Sequence, residues 1–124
     1  MEIVSQDKAK FFDNPEGRKA WIFGFPEYEF QYDEQQPGAV LKWHHHEKIW
    51  ETIYIIEGEL AARWKENGEE KEQIVKTGDV IEPGYGTHTF ENRSGSTVKF
   101  IAFKQMLSGE DMGEMIAKDK VYDE

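Results

Sequence analysis

The chain has 124 residues, a formal net charge of −10 and no cysteine. This length suits one domain, and the absence of thiols excludes disulfides, cysteine-ligated zinc and a cysteine nucleophile. Because phosphate backbones and anionic lipids repel an acidic surface, and because the N-terminus has no apolar signal segment, we expect a cytoplasmic protein without nucleic-acid or membrane partners.

The first half of the chain predicts an extension followed by short strands. Residues 1–20 show no steady period and are predicted as an N-terminal extension. From Trp21 the run "WIFGF" is apolar, and "EYEFQY" alternates. This alternation places Tyr28, Phe30 and Tyr32 on one face. These rings either line a cavity or fill the core, and we expect them to fill the core.

Further strands are predicted between glycine-containing turns. "AVLKWHHH" is one candidate, and "ETIYIIEGELAARW" is a longer one, interrupted only by Gly58. Asn67-Gly68 is typical of a two-residue hairpin turn, since both positions tolerate positive φ. The remaining candidates are "KEQIVK", "VIEP", "HTFEN" and "TVKFIAF". Many short strands with turns at close spacing indicate an all-β sandwich or barrel.

The C-terminal segment predicts a short helix over residues 108–118. Ser108 is a suitable N-cap, Glu110 and Asp111 suit a first turn, and Met115 and Ile116 follow at helical spacing. We expect this helix to cover a barrel end or a partner. The whole chain, 1–124, is therefore predicted as one domain, with the barrel over 21–104.

The stretch "WHHHEKIWE" contains three of the four histidines of the chain. If it lies in a strand, His44 and His46 point to one side and His45 to the other, because alternate side chains share a face. Two imidazoles so placed can reach one ion. A surface cluster is the alternative, and we assign His45 to packing on the outer surface or at an interface.

Two later residues could complete a metal site. Glu51 opens the neighbouring antiparallel strand after a tight turn, and His88 follows a glycine-rich loop. Three neutral imidazoles and one carboxylate suit one divalent transition metal per chain: iron, manganese, nickel or zinc.

The spacing of these residues resembles that of the cupin superfamily, here a small single-domain cupin. The first cupin motif is matched by Gly38, His44, His46, Glu51 and Gly58, and the second by Gly78, Asp79, Pro83, His88 and Asn92. Two departures occur: the stretch from Gly78 to Pro83 is one residue shorter, and Tyr85 stands where a glycine is usual.

The resemblance implies a fold, a metal and a partner. Cupins are small antiparallel jelly-roll β-barrels, here expected to end in the short C-terminal helix. The resemblance implies that a metal at the centre of the barrel is bound by His44, His46, Glu51 and His88. Because many members are dimers, we expect a homodimer.

Several other residues are candidates for the pocket. Ile53, Ile55 and Phe90 should line it, since they share the faces of Glu51 and His88. Lys42 either binds a carboxylate or phosphate of the substrate as a catalytic-site residue or extends from the rim into water. Tyr85 is either a catalytic-site gate or an ordinary turn aromatic.

The ligand set suggests a metal-dependent protein that binds a small-molecule ligand or substrate. We favour an enzyme over a non-catalytic binding protein. A metal with free positions could hold a substrate through adjacent oxygens and act as Lewis acid or redox centre. We favour a dioxygenase, because the set of three histidines and one glutamate resembles that of many cupin dioxygenases. A sugar or keto-acid isomerase or epimerase, and a non-catalytic binding or sensing module, are the alternatives.

Overall fold

The computed structural model describes residues 1–123. Within this range the chain forms nine strands, one short helix and a 3-10 turn at Gln6–Lys8. The strands are β1 (Lys10–Asn14), β2 (Arg18–Gly24), β3 (Tyr28–Gln35), β4 (Trp50–Glu57), β5 (Glu59–Glu66), β6 (Glu69–Lys76), β7 (Val80–Ile81), β8 (His88–Glu91) and β9 (Val98–Gln105), and the helix is α1 (Gly113–Lys118).

The strands form two antiparallel sheets. The larger has the order β1-β2-β3-β9-β4-β7 and the smaller the order β6-β5-β8. Apolar side chains from both sheets meet in one buried cluster: Leu41, Ile53, Ile55, Leu60, Ala62, Val75, Phe90, Val98, Phe100 and Ala102. The sheets therefore pack through a common core, and the predicted all-β antiparallel fold with a short C-terminal helix is confirmed.

Two turns have the backbone conformation that their residues favour. Asn67 and Gly68 connect β5 to β6 with φ of 52° and 78°, as a two-residue hairpin requires. Gly58 separates β4 from β5 at φ 108°, and a Cβ there would lie 2.9 Å from Cγ2 of Val98. The run "ETIYIIEGELAARW" therefore forms two strands in different sheets, whereas we expected one interrupted strand.

Two segment boundaries also differ from expectation. The larger sheet begins at Lys10, inside the segment 1–20 that we expected to be an extension, because β1 and β2 pair as a hairpin. "AVLKWHHH" forms no continuous strand; only Val40 and His44 make isolated bridges, to Glu91 and His88. The segment pairs with the β8 region at these two positions only, so it does not form a strand.

The prediction that the aromatic face of β3 fills the core is wrong. Gln31 and Asp33 are buried, whereas Tyr28, Phe30 and Tyr32 lie on the opposite face, and Tyr28 is exposed. The outward rings pack on aromatic neighbours in β2 and β9. A polar cavity inside the sheets reverses the usual relation between hydrophobicity and burial.

The C-terminal helix is shorter than predicted. It begins at Gly113, and Met112 occupies the N-cap position without a side-chain hydrogen bond. Ser108 instead accepts a hydrogen bond from the backbone of Glu110, and Asp111 accepts one from Gly113. These local turns delay the start of the helix. Among the described residues, no helix has the length and apolar character needed to cross a membrane.

Candidate metal centre

Backbone hydrogen bonds hold the first and last histidines side by side. The amide of His44 donates to the carbonyl of His88 (3.1 Å), and the amide of His88 donates back to that of His44 (2.9 Å). The two rings then lie 4.4 Å apart between centroids. A single bridge therefore brings together residues that are far apart in sequence.

Three imidazoles converge at this point. One ring nitrogen from each of His44, His46 and His88 lies within 4.8 Å of those of the other two. His45 points elsewhere: its side chain is about half exposed, and its Nε2 lies 3.4 Å from Oε1 of Glu47. The alternation expected of a strand therefore holds locally, although the segment is not a regular strand.

Hydrogen bonds from Nδ1 to backbone carbonyls orient the rings of His44 and His88. Nδ1 of His44 lies 2.8 Å from the carbonyl oxygen of Lys42, and Nδ1 of His88 lies 2.8 Å from that of Gly86. Since a carbonyl can only accept, each Nδ1 carries the proton and Nε2 keeps its lone pair. Nε2 of His88 and of His46 are buried without a hydrogen-bond partner among the described residues.

Glu51 adds a carboxylate to the imidazoles. It is only 6% exposed, and its Oε1 lies 3.6 Å from Nε2 of His46 and 3.8 Å from Nε2 of His88. Burial lowers the pKa of both histidines, against the opposing effect of Glu51, so the rings are neutral near pH 7. Unpartnered nitrogens beside a buried carboxylate fit a divalent metal ion.

The site opens into a cavity of about 260 Å³. Its wall includes His44, His46 and Glu51, and also three cationic side chains: Arg18, Lys42 and Lys104. A wider cleft of about 760 Å³ shares His46 and Lys104 with this cavity. A small molecule can therefore reach the imidazoles from the surface.

Sequence reasoning missed two of these cations. Arg18 lies on β2 and Lys104 on β9, outside the two motifs. Lys104 pairs directly with Glu51 on β4, so the strand register places the two side chains on one face. The sequence alone gives no signal for Lys104, because its position beside Glu51 depends on the register of β9 against β4.

A buried polar layer lies near the cavity. Nε2 of Gln31 donates to Oδ1 of Asp33 (2.7 Å), and Nε of Arg18 lies 4.0 Å from the same oxygen. Asp33 is fully buried, and burial raises its pKa from 3.8 to about 6, although Arg18 and the hydrogen bond from Gln31 act in the opposite direction.

The remaining predicted site residues lie at different distances from the imidazoles. Ile53 and Ile55 are buried in the core, as is Phe90, whose ring is 5.7 Å from that of His88. Lys42 is exposed at the rim of the cavity. Tyr85 is half exposed and packs edge-on against Trp50, outside the residues that line the cavity.

Asn92, the last residue of the second motif, has a structural role. Its Nδ2 donates to the carbonyls of Gln35 and Ser96, and its Oδ1 accepts from the backbone and hydroxyl of Ser94. Gln35 in turn donates to the carbonyl of Phe90. These bonds tie β3 to the end of β8 and so support the strand that carries His88.

Comparison with known proteins agrees with this architecture. Residues 32–104 match the family described as the cupin domain. Since the match covers more than half of the chain, this protein belongs to the cupin family. No curated protein sequence matches the chain.

Solved structures with the same fold differ widely in sequence. An RmlC-like cupin from Shewanella frigidimarina is 18% identical (TM-score 0.69), and the match covers 88% of this chain and 94% of that one. A predicted oxalate decarboxylase from Thermotoga maritima is 24% identical (TM-score 0.65; 86% and 100% covered). A sugar phosphate isomerase from Silicibacter pomeroyi is 17% identical (TM-score 0.67; 86% and 76% covered).

Proposed function

We propose that this cupin is a metal-dependent enzyme that acts on a small substrate with adjacent oxygen atoms. The convergence of three imidazoles, two of them with unpartnered Nε2 atoms within 4 Å of the buried carboxylate of Glu51, is the observation that supports it most directly. His44, His46, Glu51 and His88 would hold one divalent metal ion, with iron, manganese, nickel and zinc all compatible. Such an ion supplies Lewis-acid or redox chemistry to a chelated substrate.

The surrounding residues prepare the site for that role. The carbonyls of Lys42 and Gly86 fix the ring orientations of His44 and His88 before any ion arrives. The core behind Glu51 and His88 is apolar, which limits access of water from that side. The substrate therefore approaches through the cavity and the wider cleft, which have Lys104 and His46 in common.

Dioxygenation is the reaction that we favour. Isomerisation by proton transfer needs a base in contact with the substrate carbon. Of the two candidates from the sequence, Lys42 is exposed at the rim of the cavity, and Tyr85 packs on Trp50 outside it. A reaction driven by the metal and dioxygen makes less demand on such a base.

The solved relatives leave more than one activity open. They include a predicted oxalate decarboxylase and a sugar phosphate isomerase, on similar folds at low identity. The activity of this chain therefore has to be assigned from its own site. An isomerase or epimerase of a sugar or keto acid remains the alternative enzyme, and a non-catalytic binding module the alternative class.

Oxygen consumption separates these possibilities. The metal-loaded protein is incubated with a panel of diketones and phenols in an oxygen electrode, beside the variant His46→Ala and the control His45→Ala. We expect consumption by the wild type and by His45→Ala, and none by His46→Ala. Turnover without oxygen uptake would identify the isomerase instead, and saturable binding without turnover would identify the binding module.

We further propose that the outer face of the larger sheet is the interface of a homodimer. Its central row runs Phe11, Trp21, Tyr32, Ile101 and Tyr54 across five strands. The neighbouring row is Asp13, Lys19, Glu34, Lys99 and Glu57, whose charges alternate in sign.

A second copy fits this face in both respects. An aromatic row beside a charged row has the composition of an interface core and rim. Because a two-fold axis packs the face on itself, alternating charges can pair with opposite charges of the other copy. Phe11 and Tyr54, at the two ends of the aromatic row, are 49% and 45% exposed in the single chain.

Sedimentation tests the dimer. Tyr54→Asp should convert it to a folded monomer, since the charge would be buried at the interface. Ile74→Asp is the matched control, because Ile74 is 47% exposed on the other sheet. A wild type that sediments as a monomer, or a Tyr54→Asp variant that remains dimeric, would refute this interface.

A further inference from the structure

The three arginines of the chain differ sharply in their contacts. Arg63 donates through Nε to Glu70 (3.0 Å), and Arg93 donates to Glu91 (2.7 Å) and Glu72 (2.9 Å). Both lie on the smaller sheet or its following turn, among glutamates. Arg18 forms no side-chain hydrogen bond within residues 1–123.

The isolation of Arg18 is unusual because the side chain is largely covered. It is 27% exposed, and its Nε is buried without a partner. Its nearest carboxylate is Asp33, at 4.0 Å, which is too long for a hydrogen bond. Since an unsatisfied buried donor costs free energy, the Nε–H of Arg18 is available to an acceptor that enters the cavity.

The cavity beside the histidines is where that acceptor can be bound. Arg18 and Lys104 line it together with His44, His46 and Glu51. Lys104 carries one ion pair, with Glu29 at 3.5 Å. The wall also holds Lys42 and the carboxylates of Glu16 and Glu51, so its cationic side chains outnumber its carboxylates three to two, although the whole chain has a net charge of −10.

We propose that this cavity binds a small acid, whose carboxylate or phosphate group is held by Arg18 with support from Lys104. The planar guanidinium matches two oxygens of such a group with two parallel hydrogen bonds. This inference rests on the proposed function: other oxygens of the same molecule would face the histidines.

The size of the cavity limits the acid. A volume of about 260 Å³ lies below the usual range of roughly 300–1,000 Å³ for sites of drug-sized ligands. The part of the ligand between Arg18 and the imidazoles is therefore limited to a few carbon atoms, and any longer part would extend into the wider cleft that shares His46 and Lys104 with the cavity. A neutral sugar of the same size would offer Arg18 only hydroxyl acceptors, without the negative charge and the paired oxygens that a guanidinium matches.

Calorimetric titration with defined probes tests the proposal. Malonate, its neutral analogue malonamide and inorganic phosphate are titrated into the metal-loaded wild type and into Arg18→Gln. We expect malonate or phosphate to bind the wild type, malonamide to bind about tenfold more weakly or not at all, and Arg18→Gln to lose about tenfold or more in affinity for the acid. The preferred probe identifies carboxylate or phosphate as the recognised group.

Two further variants complete the design. Arg93→Gln, which removes an arginine far from the cavity, should bind the acid like the wild type. Arg18→Lys keeps a positive charge beside Asp33, so it should remain folded even if Arg18→Gln does not. It should bind the acid with intermediate affinity, because a lysine lacks the guanidinium fork.

The outcomes also separate this inference from the proposed function. Metal content, measured by elemental analysis, should be equal in the wild type and Arg18→Gln. If Arg18→Gln binds as much metal as the wild type and has the same affinity for malonate and phosphate, the role of Arg18 is overturned. Equal binding of malonate and malonamide by the wild type, or binding of neither malonate nor phosphate, would overturn it too. A protein that binds no metal but loses acid binding with Arg18→Gln would overturn the proposed metal function and support the acid site.

Discussion

Lys104 on β9 is the direct cross-strand partner of Glu51 on β4 and, on its other side, of Glu29 on β3. A cation thus stands beside the carboxylate that we assign to the metal. Burial is the main reason that the pKa of His46 is low, but Lys104 lowers it further. The same side chain should therefore disfavour a metal ion and favour an anionic ligand.

Replacement of Lys104 should separate these two effects. We expect Lys104→Gln to bind the metal more tightly, by on the order of 1 kcal/mol, because a repulsive charge is removed. The same variant should bind malonate or phosphate more weakly. Chelator competition measures the first effect and calorimetry the second.

Lys99→Gln is the matched control for this variant. Lys99 lies on the outer face of the same strand and pairs with Glu57 at 3.3 Å, away from the cavity. It should change neither affinity. Weaker metal binding by Lys104→Gln would mean that Lys104 mainly positions Glu51, which contradicts the expected repulsion.

The two neighbouring histidines should behave in opposite ways. His46→Ala should lose tight metal binding, whereas His45→Ala should retain it, because only His46 faces His44 and His88. Both variants should remain folded, since the core of the two sheets does not depend on the ion. Loss of the metal and the small void should lower the free energy of unfolding by about 1–3 kcal/mol.

Elemental analysis and circular dichroism melting check this prediction. Chelator-treated wild type is the reference for the effect of the metal alone. If both it and His46→Ala are unfolded at room temperature, the ion holds the fold together, and the proposal of a catalytic centre loses its main support.

Bound metal should be released as the pH falls. Each imidazole must be neutral to bind, so protons compete with the ion. Burial lowers the pKa of His46 and His88, so release should occur below the usual histidine range near pH 6.5. Metal retained after dialysis at stepped pH gives the curve, and re-addition of metal at neutral pH shows reversibility. Full occupancy at about pH 4 would contradict a site of three histidines.

The sequence was sufficient for the fold class and for the grouping of the histidines. Short alternating segments and the Asn67-Gly68 turn are local signals, and the structure contains the hairpin that this turn predicts. The spacing of His44 and His46 is local too. The motif spacing then relates them to His88, which the structure places 4.4 Å from His44, ring centroid to ring centroid.

Features that depend on pairing between distant strands could not be predicted in this way. Arg18 and Lys104 meet the histidines only through the register of β2, β3, β9 and β4. The alternation of β3 was visible, but not which of its faces lies inside. Hydrophobicity favours Tyr32 for the interior, whereas the cavity places Asp33 there.

Burial of Asp33 should make stability depend on pH. Its folded pKa of about 6 is above the ordinary value of 3.8, so the folded state holds a proton more tightly than the unfolded state. The resulting stabilisation is complete below about pH 4 and is lost as the pH rises through 6. The charged groups acting on Asp33 are Arg18, Lys104 and Glu51, and their effects are included in this shift.

Asp33→Asn removes the titration and keeps an oxygen that can accept from Gln31. Relative to this variant, metal-free wild type should lose about 2–3 kcal/mol of unfolding free energy between pH 4 and pH 8. Denaturant unfolding of both proteins across that range, with chelator present, gives the difference. The histidines titrate in both proteins, so their contribution cancels. A constant difference at all pH values would show that Asp33 ionises in the folded protein as it does in the unfolded chain, and a wild type that gains relative stability with rising pH would show that Arg18 outweighs burial.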